Sequence, residues 1–139
     1  MDYPDKFIRG ISSRDFVDED GRVLASIFQF LDTNRADGFY ESSINWYDDE
    51  DALLLILEQR KEKDKTEYQF KYGAAIIGRE EADRIISNPS YKSIFAYERS
   101  PIEGNKYHGN LLRKGKSNKG IHTIIAAYLA MNAQLISRQ

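Results

Sequence analysis

The 139 residues contain no cysteine. That single absence excludes disulfide staples, thiolate metal ligands and a thiol nucleophile, and it fits a reducing compartment. Histidine is almost as scarce. His108 and His122 are the only two, and their spacing does not set both on one helical face, so neither a metal site nor any other cofactor is expected. Proline occurs three times, and no Pro-, Gly- or Ser-rich linker or internal repeat divides the chain. One domain over residues 1–139 is the simplest organisation. The longest apolar runs, 52–57 and 124–129, fall far short of the roughly 20 residues that span a bilayer. Met1-Asp2-Tyr3-Pro4-Asp5 lacks the basic and apolar regions of a signal peptide. A cytoplasmic protein without a membrane partner is expected. An excess of one charge is missing too. Twenty Lys and Arg face 22 Asp and Glu, for a net charge of −2, so no global field favours nucleic acid and any such contact must come from a local patch.

What is present suffices for a core. Hydrophobic residues make up 41% of the chain, with nine Tyr and seven Phe as large apolar bodies. Residues 7–11 read as a short strand, and Gly21 as a turn. Residues 23–31 are apolar and fit a helix or a strand. Residues 39–47 alternate, Tyr40, Ile44 and Trp46 against Glu41, Ser43 and Asn45, as in a half-buried strand with Trp46 as core anchor. Asp48 is the expected N-cap of an acid-led helix running to about Lys61. A charged connector and a strand over 68–76 follow, then Gly78 and a helix over 79–87. Strands are expected at 92–98 and 106–112, a basic loop at 113–120, and a final helix over 121–137 with Ile121, Ile124, Ile125, Tyr128, Leu129, Leu135 and Ile136 on one stripe. The order predicts an α+β fold: a mixed or antiparallel sheet of about five strands with two to four helices packed on it.

Four features carry candidate chemistry. Arg9 lies between Phe7 and Ile11 on an apolar strand face, where a guanidinium needs an ion-pair partner or an anion. Ser43 belongs to a strand end that feeds a helix start, a place that suits ligands as well as ordinary capping. His108 and Asn110 share one face of their strand, so His108 is a candidate acid or base with an amide beside it, or a hydrogen-bonded structural histidine. Gly109 between them marks a bulge or a close approach. Last, Arg113, Lys114, Lys116 and Lys119 with two glycines precede the final helix. Cations there oppose the helix dipole, which makes sense for a bound anion or a solvated loop. The run is not a Walker A loop, because Ile121-His122 stands where Lys-Ser/Thr is required.

Phe7-Ile8-Arg9-Gly10-Ile11, the segment 39–46 and Asn105-Lys106-Tyr107-His108 before an Ala-rich helix together resemble a group of small uncharacterised bacterial proteins. Those carry an arginine strand, a Ser-Val/Ile-Asn/Asp segment and an Asn-x-x-His segment before a C-terminal helix. The resemblance covers most of the chain and implies a component of a bacterial conflict or mobile-element system. Arg9-Gly10 and Ser42-Ser43 are also similar to the Arg and Ser motifs of ADP-ribosyltransferases, which implies phosphate binding by Arg9 and a supporting role for the serines. The third motif of that family, Glu-x-Glu or Gln-x-Glu on a late strand, is absent, since Ala96 stands two residues before Glu98.

Two functions follow from these residues. The first is a small accessory or interaction protein that binds another protein and carries an anion-binding surface at Arg113, Lys114, Lys116 and Lys119, with Asn110 and Ser43 as further binding residues. The alternative is an enzyme acting on a phosphate-bearing substrate, RNA or a nucleotide, through His108 and Arg9. Convergence of Arg9, Ser43 and His108 on one cleft would favour the enzyme. The basic run is expected to bind phosphate or a nucleotide, moving amide NMR shifts between residues 113 and 123 at millimolar ligand. Replacing Lys114 and Lys116 by Gln should remove the response, and salt should weaken it; unmoved amides would mark a solvated loop.

Overall fold

The computed structural model describes residues 3–28, 35–89, 95–114 and 119–137, with residues 119–122 known by their backbone. Six segments of extended chain form one sheet: β1 (Lys6–Gly10), β2 (Phe39–Trp46), β3 (Gly73–Gly78), β4 (Phe95–Arg99), β5 (His108–Lys114) and β6 (Gln134–Ser137). Their order is β4-β5-β2-β1-β3-β6, and all neighbours are antiparallel. Three α-helices accompany it, α1 (Glu50–Glu58), α2 (Arg79–Ile86) and α3 (Lys119–Met131), with short 3-10 turns at Arg14–Phe16 and Ala25–Phe28. The α+β class is as the sequence implies, with one strand more than the expected five. Among the described residues no helix is long and apolar enough to cross a membrane.

Strand alternation sorts the core into two layers. Phe7, Ile44, Trp46, Ala75, Ile77 and Leu111 face α2, α3 and the Ala25–Phe28 turn, which contribute Ala82, Ile86, Ile125, Leu129, Ile27 and Phe28. Ile8, Ala74 and Ile76 point the other way and meet Ala52 and Ile56 of α1. The sheet is therefore covered on both faces at its β1–β3 end. That is why Asn45, on the polar side of the alternation in β2, is buried rather than exposed.

Trp46 is the anchor of the larger layer and is fully buried. Tyr3 stacks on its indole with centroids 4.7 Å apart, and Phe7 and Tyr97 meet it edge-on at 5.9 and 5.6 Å. Its Nε1 donates to the Glu98 carbonyl at 3.1 Å. Gly109 is the close approach that its place in a strand suggested: a Cβ there would lie 2.3 Å from Trp46 Nε1 and 2.4 Å from the Glu98 carbonyl oxygen. The neighbour is the core indole.

Local boundaries depart from the sequence expectation where a backbone feature overrides side-chain periodicity. Of the alternating aromatics, Tyr68 forms an isolated antiparallel bridge with Arg60, and Phe70 and Tyr72 lie in turns before β3, where Gly73 adopts φ +104° and redirects the chain. Asp49, rather than Asp48, caps α1 by accepting from the Asp51 N–H, and the helix ends at Glu58 rather than near Lys61. The expected helix 121–137 is α3 followed by a strand. Asn132 breaks it, its side chain donating to the Tyr128 carbonyl at 2.9 Å. Leu135 and Ile136 then pair with Ala75 and Ala74 across β6–β3 instead of extending the helical stripe. Ile124 of that stripe is exposed, while Ala126 and Ala130 are buried. The basic segment is a loop only in part: Arg113 and Lys114 finish β5, Lys119 opens α3, and residues 115–118, with Lys116, lie outside the described residues.

Truncating Trp46 to Ala is expected to cost about 3–5 kcal/mol in urea unfolding, as for other large-to-small aromatic changes in a packed core. Gly109→Ala should cost about 1–3 kcal/mol through overpacking against the indole and the Glu98 carbonyl. A Gly109→Ala protein that melts like the parent would show that this contact is loose.

Candidate functional site

Arg9 stands where the sheet comes apart. β1 holds five pairs with β3, from Lys6 opposite Gly78 to Gly10 opposite Ala74. With β2 it holds Phe7 opposite Trp46 and Ile8 opposite Asn45. Continued, that register would set Gly10 against Ser43. Instead the Arg9 side chain bridges the opening: Nη1 donates to the Ser43 carbonyl at 2.5 Å, and Nε donates to the Ile27 carbonyl at 2.9 Å. Desolvation lowers its pKa from 12.5 to about 10, which leaves it a cation near neutral pH. It is held by two carbonyl dipoles, and among the described residues no carboxylate pairs with it.

A cavity of about 200 Å³ adjoins this opening. Ile8, Ile56, Phe70 and Ile102 supply apolar walls, while Arg9, Ser43, Asn45, Gln59, Asn105 and His108 bring polar groups to its lining. Gly10 is needed here, because a Cβ would fall 2.2 Å from the Phe70 ring that lies against the strand. The cavity meets a longer groove along α1, and the two share Gln59, Ile102 and Asn105.

The polar lining is held from behind. His108 Nδ1 lies 2.8 Å from the Ser100 carbonyl oxygen. A carbonyl only accepts, so Nδ1 carries a proton and, in the neutral ring, Nε2 keeps its lone pair. Asn105 Nδ2 donates to Asn45 Oδ1 at 2.8 Å, and Asn45 Nδ2 donates to the Ala52 carbonyl of α1 at 3.3 Å. Asn105 Oδ1 accepts from the Tyr107 N–H at 3.1 Å. The Tyr107 hydroxyl in turn donates to the α1 cap Asp49 at 2.9 Å. The helix start and the loop before β5 thus fix the two amides together. Ser43 is exposed on the same sheet face.

A second polar row runs beside the first. Ser43 of β2 opposes Asn110 of β5, and Asn110 opposes Glu98 of β4. Asn110 Nδ2 donates to Glu98 Oε1 at 2.8 Å. Arg35 forks onto both Glu98 oxygens at 2.8 Å and also donates to Asp37 at 2.7 Å and Glu41 at 2.9 Å. Hydrogen bonding from Arg35 holds the Glu98 carboxyl below its ordinary pKa of 4.5. The same guanidinium brings Asp37 down to about 2.

Of the residues singled out from sequence, Arg9, Ser43 and His108 line one cavity. Asn110 follows His108 on the same face of β5 but is buried against Glu98. Arg113 points to the opposite face, 5.1 Å over the Tyr40 ring. Lys114 is exposed at the far end of β5, six residues and so about 20 Å from His108. The side chains of Lys116 and Lys119 fall outside the described ones. Sequence reasoning gave no role to Gln59, Arg35 or Glu98, and named Asn45 and Asn105 only within the Ser-Ile-Asn and Asn-x-x-His segments. Nothing local links Gln59 or Arg35 to the residues they join. Among the described residues no group of three His, Asp or Glu is arranged to hold a metal ion. No family model, curated protein or solved structure matches this chain.

The depressed carboxylates make stability acid-sensitive. Each favours the folded state fully above its unfolded pKa, and that contribution is lost as pH falls through the folded value. Urea midpoints are therefore expected to hold down to about pH 4.5 and then to fall toward pH 2 as Glu98 and Asp37 take up protons. A Glu98→Gln, Asp37→Asn double variant should start lower and fall less steeply; a slope as steep as that of the parent would place the acid sensitivity elsewhere.

Proposed function

We propose that this protein is an enzyme acting on a phosphate-bearing substrate, with the reacting group seated in the cavity beside the β1–β2 opening. The observation that carries the reading is the convergence of Arg9, Ser43 and His108 on one cavity of about 200 Å³. A partly buried cation without a carboxylate partner among the described residues is suited to an anion, which would offset its desolvation. His108 keeps an accepting Nε2 while Ser100 holds the ring, which suits it to take a proton from an attacking hydroxyl or water. Arg9 would neutralise charge on the phosphoryl oxygens. The apolar walls and the groove along α1 give room for the rest of the substrate.

The accessory or interaction protein of a bacterial conflict or mobile-element system becomes the second reading. One observation favours it: Leu24 and Met131, 36% and 76% exposed, face each other across a groove between residues 18–25 and the end of α3. The basic end of β5 lies far from His108, so in either reading Arg113 and Lys114 take no part in this cavity.

Titration with inorganic phosphate and a nucleoside monophosphate tests the primary reading. Arg9→Gln is expected to weaken binding about tenfold or more, equivalent to about 1.4 kcal/mol. Arg9→Lys should recover part of that loss, since charge remains while the fork is gone. His108→Gln should leave binding largely intact and lower turnover of nucleotide or RNA substrates by about 10²–10⁴-fold. Phosphate affinity unchanged in Arg9→Gln would remove the basis of the proposal.

A further inference from the structure

The two ends of the sheet are guarded differently. β4 closes one end with charge: Arg35 forks onto its Glu98, and its Arg99 pairs with Asp48 at 2.7 Å. β6 closes the other with Gln134-Leu135-Ile136-Ser137, which carries no charge, no proline and no bulge. The charge-free run extends beyond the strand, since residues 120–137 hold no Asp, Glu, Lys or Arg. Strand edges are ordinarily protected by such devices, because their free N–H and C=O groups template further pairing. Which groups are free follows from the ladder. The Ile11 N–H donates to the Gly73 carbonyl at 2.9 Å, so that carbonyl faces β1. By alternation Ala74 and Ile76 turn their backbone groups to β6, where they meet Ile136 and Gln134. Leu135 and Ser137 therefore present theirs to the open side, and among the described residues no hydrogen bond takes them up. Leu135 also lines the groove shared by Leu24 and Met131, so exposed apolar surface continues from the edge strand to the end of α3.

We propose that β6 is a dimer interface, where a second copy of this chain adds its own β6 antiparallel and the sheet runs on through a two-fold axis. The inference is independent of the reading of the Arg9 cavity. A two-fold axis sets a patch against itself, so the patch must be complementary to its own copy. A charge-free strand meets that condition, whereas a partner recognised by charge would find nothing to pair with along residues 134–137. The register follows from the outward groups. A two-fold axis normal to the sheet keeps each face on its own side. Leu135 then opposes Ser137 of the second copy, and Ser137 opposes its Leu135, both as hydrogen-bonded pairs. Ile136 faces its own copy across the axis as the closer, non-hydrogen-bonded pair. This takes up every outward N–H and C=O of the strand. Centring the axis on Leu135 instead would set Ser137 opposite Ala133, whose N–H already donates to the Ala130 carbonyl at 3.2 Å.

Sedimentation of the full chain over a dilution series tests this. A mass near twice 16.1 kDa is expected, with monomer appearing on dilution. In hydrogen exchange the Leu135 and Ser137 amides should lose protection on dilution, while those of Gln134 and Ile136, bonded to β3, keep theirs. Ser137→Pro removes an outward donor without touching the β3 ladder, and should weaken the dimer about tenfold or more. Because the chain has no cysteine, Ile136→Cys gives a second measure that does not rely on Ser137→Pro folding. Its Cα would lie about 4.5 Å from its copy across the axis, within disulfide reach, so mild oxidation should link the dimer. Met131→Cys, at a more exposed position, should link about tenfold more slowly, because its copy lies beyond that reach. The mass of a single chain at every concentration overturns the proposal. So does a dimer whose Leu135 and Ser137 amides exchange alike at every dilution, or one that Met131→Cys links as readily as Ile136→Cys.

Discussion

The parting of β1 from β2 after the Ile8–Asn45 pair is the constraint on which the site depends. A continuous ladder would have closed this stretch with backbone hydrogen bonds and left no cavity. The split strands Ser43's carbonyl, and an orphaned carbonyl in a half-buried sheet costs free energy. Arg9 resolves that by reaching across with Nη1 while its Nε engages the Ile27 carbonyl in the layer behind. One side chain therefore spans the opening and ties it to the layer behind. Gly10, next in the chain, has no side chain and so admits the Phe70 ring as a wall.

The remainder of the architecture keeps that opening in place. On the far face, Trp46 is locked by Tyr3, Phe7 and Tyr97, and by its bond to the Glu98 carbonyl. Gly109 lets β5 lie close under the indole, which sets His108 and Asn110, its neighbours on both sides, toward the opposite face. Tyr97 donates from its hydroxyl to Asp83 of α2 at 2.6 Å, and burial raises that phenol's pKa well above the usual range. On the near face α1 covers the β1–β3 end, and its cap Asp49 receives the Tyr107 hydroxyl. The polar rows of β2, β5 and β4 meet that helix through Asn45, which donates to the Ala52 carbonyl. They are organised by Asn–Asn, Asn–Glu and Arg–Glu contacts in place of apolar packing.

Much of this was legible residue by residue. Arg9 on an apolar strand face signalled an unusual cation, and the shared face of His108 and Asn110 followed from a period of two. Trp46 as anchor and Gly109 as a point of close approach read correctly for the same reason: strand parity is a local property. Where a local rule was overridden, a single backbone event did it. Gly73 at positive φ turned an alternating aromatic stretch into turns, and Asn132 ended a helix whose apolar stripe otherwise continued into Leu135 and Ile136. Tyr68, Phe70, Tyr72, Leu135 and Ile136 stay half-buried in both stretches, while the secondary structure that carries them changes.

The sequence by itself determined the class of the fold, the strands that hold Arg9, Ser43, Asn110 and His108, and the face of each strand on which they lie. These follow from alternation, turn residues and capping, which act over a few neighbouring positions. Only the tertiary structure decided which of these residues meet. Arg9 and Ser43 are 34 residues apart and share a hydrogen bond. Arg35 and Glu98 are 63 apart and form a bidentate pair. Arg113, five positions from His108 in the chain, lies on the opposite face of the sheet over Tyr40. Strand order and register set those distances. They are fixed by how two apolar layers bury their surfaces on both sides of one sheet, a balance summed over the whole chain that no single segment contains.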